Sequence, residues 1–263
     1  MLFSFLPIST CLLISAVLAD PRRGPRHSHF NTAEKHINDA SGGISWTRTW
    51  AGAELQQSNG TFRSVTGTFT VPSISGPIGA GAAALVGIDG GACNMIFEAG
   101  VIFNITSTGP QNKAVWEWYP DPLGAFPDNF TIAAGDSINV TVSASNATSG
   151  LVEIQNLSNQ QSATQRVQSS HALCGQSAEW IVEDYLLNDT STNPVPLANF
   201  GKVVFTHAQA GGPGNQTFGP QGSTIVGIEQ NGQYLTNVSV DASSVVVKYV
   251  KPTGNEGRVG CCH

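Results

Sequence analysis

Residues 177–184 have the sequence Ser177-Ala178-Glu179-Trp180-Ile181-Val182-Glu183-Asp184, a short apolar run that carries three acidic residues. Its β-branched and aromatic content predicts a strand. In a strand, successive side chains point to opposite faces. We therefore predict Glu179, Ile181 and Glu183 on one face and Trp180, Val182 and Asp184 on the other.

A second predicted strand, residues 94–100, carries Glu98 among apolar neighbours. Glu98 stands five residues after Cys93, and Glu179 stands five residues after Cys174. If the two cysteines form a disulfide, they bring the two glutamates into one neighbourhood. Two facing carboxyls in an apolar wall titrate at different pH values, as a general acid and a general base must.

The N-terminus has the pattern of an export signal. Residues 1–19 form an apolar run that ends in small residues, and we predict cleavage after Ala19. Neither this run nor any later one predicts a membrane span. Export places the remaining cysteines in an oxidising compartment, where we expect Cys93 to pair with Cys174. For Cys261 and Cys262, in a C-terminal tail of residues 251–263, a vicinal disulfide, an intermolecular bridge and a disordered tail all stay open.

Charge is divided unevenly along the chain. Residues 20–44 hold four of the twelve Lys and Arg residues and three of the six His residues. They are either a short basic propeptide that covers an acidic cleft or a disordered arm. Residues 45–263 carry a net charge of −7. Nucleic acid is therefore not an expected partner, and an acidic working environment fits this charge.

Nine Asn-x-Ser/Thr sequons are candidates for glycosylation, or side effects of a composition rich in Ser and Thr. They are Asn59, Asn104, Asn129, Asn139, Asn146, Asn156, Asn188, Asn215 and Asn237.

The rest of the chain predicts many short strands and no amphipathic helix. Strands are predicted at 63–71, 85–89, 114–121, 138–142, 151–155, 202–206, 224–229 and 245–250, while the Gly- and Ala-rich residues 76–84 predict a loop. Asn231-Gly232 predicts a hairpin turn. This spacing is typical of an all-β sandwich or barrel in one domain, residues 45–250.

Several motifs in this order resemble the glutamic peptidases, or eqolisins (peptidase family G1), the acid peptidases of filamentous fungi. The motifs are Trp50-Ala51-Gly52-Ala53, residues 67–72 (GTFTVP), residues 86–90 (VGIDG), Cys93, residues 118–121 (WYPD), Cys174 and residues 178–184 (AEWIVED). The resemblance covers roughly residues 46–250. Separate motifs in one order are far more specific than any of them alone.

The resemblance implies a concanavalin-like jelly roll, a sandwich of two antiparallel sheets with a concave substrate cleft. It implies endopeptidase activity on polypeptides at acid pH, with no metal and no cofactor, and we expect a monomer. The family's catalytic glutamate corresponds to Glu179. At the position of its catalytic glutamine this chain has Glu98, and Leu85 stands where the family usually has tryptophan.

Glu98 has to replace an amide that donates a hydrogen bond to the developing oxyanion. A carboxylate only accepts hydrogen bonds, whereas a protonated carboxyl keeps one donor. We therefore predict that Glu179 is the general base toward water, and that Glu98 is the acid and oxyanion donor. As in the aspartic peptidases, the pair would share one proton.

Six other residues are candidates for the substrate cleft: Asp89, Glu117, Trp118, Leu85, Trp50 and Glu183. Simpler roles compete with several of these. Asp89 is suited to capping the Gly90-Gly91 turn, Glu117 to an ordinary exposed strand position, and Trp118 to the core.

Two other functions compete with the peptidase. A glycoside hydrolase also uses two carboxyls on a concave face, held roughly 5 Å or more apart. A binding protein would keep the peptidase fold without the chemistry, because Glu98 has replaced the glutamine. Cleavage activity distinguishes the binding protein from the enzymes.

Overall fold

A computed structural model of the chain describes residues 43–187 and 193–252, which fold into seventeen strands and one 3-10 turn at Pro213–Asn215. No helix in these two ranges is long and apolar enough to cross a membrane. The strands are β1 Ile44–Thr47, β2 Trp50–Gln56, β3 Ser64–Thr70, β4 Gly81–Asp89, β5 Ile96–Thr106, β6 Gly109–Tyr119, β7 Gly124–Ala125, β8 Ser137–Asn146, β9 Ser149–Asn156, β10 Gln161–Gln168, β11 Ser177–Glu183, β12 Lys202–Gly211, β13 Thr217–Phe218, β14 Thr224–Gln230, β15 Gln233–Tyr234, β16 Thr236–Val240 and β17 Val245–Tyr249.

The strands form two sheets. The front sheet has nine strands in the order β1-β14-β2-β11-β4-β5-β6-β7, with β15 paired to β14. The back sheet has eight, in the order β10-β9-β8-β3-β12-β17-β16, with β13 paired to β12. Strand β1 runs parallel to β14, and the other named pairs are antiparallel. The predicted sandwich of two antiparallel sheets is therefore confirmed.

Alternation along the front strands separates the core from the outer face. On β11, Ala178, Trp180 and Val182 point into the apolar core between the sheets. Ile181 lies in a second apolar cluster, on the outer face. Trp180 also ties the two sheets together, because its Nε1 donates to the carbonyl of Thr66 on β3 at 2.8 Å. The predicted division of faces along this strand is thus confirmed. Asp184, predicted to share the face of Trp180, lies beyond the end of the strand.

Some strand boundaries differ from the prediction. Strand β4 begins at Gly81, inside the segment that the sequence predicted to be a loop. That prediction was wrong because Ala82 and Ala84 are core residues, although their small side chains give no strand signal. Strand β10 was missed because it is polar and lies at the edge of the back sheet. The hairpin turn at Asn231-Gly232 is confirmed between β14 and β15.

Candidate active site

Four glutamates lie in one row across the outer face of the front sheet. Glu54 on β2 is paired directly with Glu179 on β11. Glu179 is paired in turn with Gly87 on β4, which is paired with Glu98 on β5. Glu98 is paired with Glu117 on β6. Because directly opposed residues point to the same face of a sheet, these four side chains form what we call the carboxyl row.

Glu179 and Glu98 therefore lie close together, as the sequence predicted, with one strand between them. Neighbouring strands are about 4.8 Å apart, so the two backbones are separated by roughly 10 Å. Between them lies Gly87, which has no side chain. A Cβ added there would lie 3.0 Å from the Cβ of Glu98. The row thus contains one gap, a position without a side chain, with a carboxyl on each side.

The carboxyl row is almost completely buried, with relative exposures of 2% for Glu54 and 1% for Glu98, and 0% for Glu179 and Glu117. Burial raises the pKa of Glu179 well above its usual value, and the charges of Glu54, Glu98 and Asp89 raise it further. Ser177 opposes this rise, since its Oγ donates to Glu179 Oε1 at 3.3 Å. Glu179 Oε2 has no hydrogen-bond partner among the described residues.

A disulfide and a buried aspartate hold the segments that lead into β5 and β11. Cys93, just before β5, is bonded to Cys174, just before β11, which confirms the predicted disulfide. Asp89 accepts hydrogen bonds from four consecutive backbone N–H groups, those of residues 174–177, at 2.7 to 3.4 Å. Burial raises the pKa of Asp89, and the four donors oppose that rise. The carboxylate thus fixes the segment that precedes Glu179, instead of the Gly90-Gly91 turn predicted from the sequence.

Asp89, Cys93 and Cys174 also form a cluster of potential metal ligands. The cluster has a structural explanation, because both sulfurs are in the disulfide and the carboxylate is engaged by the loop. The donor set therefore does not fit a metal ion.

The other cleft candidates fall into two groups. Glu117 belongs to the carboxyl row. Trp50 and Leu85 lie in the apolar cluster on the same face, where Trp50 is paired with Glu183 and Leu85 with Ile181.

The prediction that Trp118 lines the substrate cleft is wrong. It lies between the sheets with 0% exposure, and its ring stacks on Phe97 with centroids 4.5 Å apart. Its Nε1 donates to the carbonyl of His171 at 2.9 Å. The strand that puts Glu117 on the outer face necessarily turns Trp118 inward, so Trp118 is a core residue and does not line the cleft.

A groove of about 530 Å³ lies on the same side of β5 and β6. Its apolar lining includes Ile102, Val115 and Leu123, and its polar lining includes Lys113 and Asp128. Val115 is two residues from Glu117 on β6 and on the same face, so the groove lies beside the Glu117 end of the carboxyl row. Its mixed lining suits a peptide chain with an apolar side chain.

Sequence reasoning assigned no role to Glu54 in the row or to Ser177 beside it, nor to Asp184, which is buried just beyond the end of β11. The alternation along residues 50–56 places Glu54 on the face of Trp50, but it does not show that Glu54 lies opposite Glu179. Asp184 accepts a hydrogen bond from Gln230 Nε2 at 2.7 Å. Burial, together with the charge of Glu183, raises the pKa of Asp184 to about 8.

The structure also bears on the sequons. Asn156 has 0% exposure, and its amide donates to the carbonyl of Thr131 and to Asp136 Oδ2. The folded domain therefore has no room for a glycan on Asn156. Asn59, Asn129, Asn146, Asn215 and Asn237 are exposed, and Asn104 and Asn139 are half-buried. Asn188, Cys261, Cys262, the predicted signal peptide and residues 20–42 lie outside the described residues.

Comparison with known proteins points in the same direction. Residues 48–249 match the model of the Peptidase A4 family. The chain is 38% identical to aspergillopepsin-2 of Aspergillus niger, over 90% of this chain and 94% of that protein. It is 35% identical to scytalidopepsin B of Scytalidium lignicola, over 76% of this chain and 77% of that protein. A crystal structure of scytalido-glutamic peptidase with a peptide-based transition-state analogue is similar, with a TM-score of 0.70 and 34% identity, over 77% of this chain and 98% of that one.

Proposed function

Since the chain belongs to the Peptidase A4 family, we propose that it is a secreted endopeptidase that hydrolyses peptide bonds at acid pH through a water molecule activated by Glu179 and Glu98. The observation that carries the proposal is the gap at Gly87, which has one of these carboxyls on each side. The peptide-based analogue bound to the similar scytalido-glutamic peptidase supports polypeptides as substrates. The alternative function as a glycoside hydrolase gains no support, because the relatives described above are peptidases.

The chemistry follows from the positions of the two carboxyls. With a water molecule in the gap, ionised Glu179 takes a proton as the water oxygen bonds to the peptide carbonyl carbon. Protonated Glu98 donates a hydrogen bond to the oxyanion that forms. The proton held by Glu179 then passes to the leaving nitrogen as the C–N bond breaks. One water is consumed, and both carboxyls return to their starting states.

A raised pKa of Glu179 fits this role, because a base is most effective when its pKa is close to the working pH. Buried like charges also keep one proton within the row. Cleavage therefore requires one carboxyl to be ionised and the other protonated, and it is lost when both are charged.

The test is the cleavage of a denatured protein by the purified secreted protein between pH 2 and 7. We expect cleavage in acid only, and its loss in Glu179→Gln. The matched control is Glu153→Gln, because Glu153 lies on β9 of the back sheet; this variant should cleave like the parent. Absence of cleavage by the folded parent would contradict the proposal, and so would cleavage by Glu179→Gln at the parental rate.

The proposal includes export as a monomer after removal of residues 1–19. It also includes the basic segment 20–44 as a propeptide whose charge complements the carboxyl row. Mass spectrometry of the secreted protein tests the first cleavage. A mature chain that begins near residue 45, and is more active than one that begins at Asp20, would support the propeptide; equal activities would exclude it.

A further inference from the structure

Glu54 is as deeply buried as the two proposed catalytic residues, yet the proposed mechanism does not use it. It lies directly opposite Glu179 on the neighbouring strand, whereas Glu98 is two strands away from Glu179. Directly opposed residues of an antiparallel pair have Cβ atoms about 5 Å apart. Within the row, the neighbour nearest to the proposed base is therefore Glu54.

The Gly90-Gly91 turn encloses both side chains. A Cβ added to Gly90 would lie 3.0 Å from Glu179 Oε1, and one added to Gly91 would overlap Glu54 Oε1. Only glycine at residue 91 leaves room for the Glu54 carboxyl in this position. The turn thus brings the two carboxyls under one stretch of backbone.

Neighbouring groups fix the orientation of the two carboxyls. Gln56 Nε2 donates to Glu54 Oε1 at 2.8 Å, and Ser177 Oγ donates to Glu179 Oε1 at 3.3 Å. Each donor is two residues from its carboxyl on the same strand, and therefore on the same face. Gln56 and Ser177 are themselves directly opposed across β2 and β11, so each carboxyl is held by a polar residue at the same position of its strand.

We propose that Glu54 is a positioning residue for the reaction, which sets the protonation state of Glu179 by holding a second carboxyl against it beneath the Gly90-Gly91 turn. The role follows from electrostatics, because two buried carboxyls in one enclosure resist carrying two charges. Glu54 does not touch the gap at Gly87, since Glu179 lies between them in the row. It acts through Glu179 alone.

Glu179 also has other titratable neighbours among the described residues. Glu98 faces it from β5, Asp89 lies at the end of β4, and Glu183 shares its own strand and face. The charge of Glu54 raises the pKa of Glu179 more than the charge of Glu98 or Asp89 does, after burial itself. Glu54 is therefore the neighbour whose removal should change Glu179 most.

The experiment is a carboxyl-carbon NMR titration of Glu179, assigned by the signal that disappears in Glu179→Gln. In Glu54→Gln we expect the titration midpoint of Glu179 to fall by about one pH unit. The acid limb of kcat/KM should move in the same direction by the same amount. Glu54→Asp keeps the charge and should restore a midpoint close to the parent's, and Glu153→Gln should leave it unchanged. If Glu54→Gln does not fold, Glu54→Ala removes the same charge with a smaller side chain.

An unmoved midpoint in a folded, charge-free variant would overturn the role of Glu54. The inference rests on the proposed function for its link to catalysis, but the titration needs no cleavage. A parent that cleaves nothing would thus overturn the proposed function, whereas an unmoved Glu179 titration would overturn the inference.

Discussion

Gly87 is the residue whose missing side chain creates the gap between Glu179 and Glu98. Replacing it with valine puts methyl groups where the water and the substrate carbonyl must lie, so we expect kcat/KM to fall at least about 100-fold. Gly87→Ala should fall between the parent and Gly87→Val. The control is Ala83→Val, since Ala83 is buried on the same face of β4. Placing valine there costs about as much stability through overpacking as it does at Gly87, about 1–3 kcal/mol. If Gly87→Val cleaves as well as Ala83→Val, the gap at Gly87 is not the reaction site.

At this scale the sequence predicted the carboxyls but not their surroundings. Glu179 and Glu98 were identified because each follows a cysteine by five residues and lies on an apolar strand. Glu54 was missed because its importance comes from strand pairing over a distance of 125 residues, which local periodicity does not contain. Trp118 was a candidate for both the cleft and the core, and its alternation with Glu117 along β6 decides for the core.

Among the structural elements, the segment before β11 is held by Asp89 and by the disulfide. Asp89→Asn removes the negative charge from a cluster of four N–H donors, and it turns an amide NH2 toward some of them. We expect this substitution to lower the free energy of unfolding by about 2–3 kcal/mol. Activity should fall as well, because Glu179 lies five residues after Cys174. Denaturant unfolding and kcat/KM measure the two effects.

The matched control is Asp241→Asn. Asp241 also accepts three hydrogen bonds within a turn, but it is fully exposed, so water replaces what the substitution removes. Its effect on unfolding should be clearly smaller. Equal losses in the two variants would mean that burial of the Asp89 hydrogen bonds adds nothing to the stability of the fold.

The sequence also predicted elements unequally well. Strands with alternating apolar residues, such as β8 and β11, were found because one face packs in the core. Strand β4 was predicted to begin too late because its first residues are glycine and alanine. These residues pack well between neighbouring strands but have low strand propensity. Its pairing with β5 and β11 supplies the stability that its own sequence does not show.

For the whole molecule, buried acidic groups predict a pH dependence of stability. The pKa of Asp184 is about 8 in the folded chain and about 3.9 in an unfolded one. The folded state therefore binds this proton more tightly, so stability is lost as pH rises from about 4 to about 8. The raised pKa of Glu179 acts in the same direction. A domain that is most stable in acid agrees with the net charge of −7 on residues 45–263.

This prediction is tested with Asp184→Asn, whose side chain does not ionise. We expect its Tm to exceed the parent's at pH 8 by more than it does at pH 4. Thermal unfolding at the two pH values measures the difference. A parent and a variant with parallel Tm profiles would show that Asp184 does not carry this pH dependence.

The central claim is that Glu98, as a protonated carboxyl, does the work of an amide beside Glu179. The most direct measurement is the pH profile of kcat/KM for the parent and for Glu98→Gln, with the folded state of each checked at every pH. An amide keeps its donor at every pH, whereas Glu98 loses its donor when it ionises. We therefore predict that Glu98→Gln cleaves as well as the parent in acid and stays active to higher pH. Coinciding alkaline limbs, or a folded Glu98→Gln that no longer cleaves, would contradict the claim.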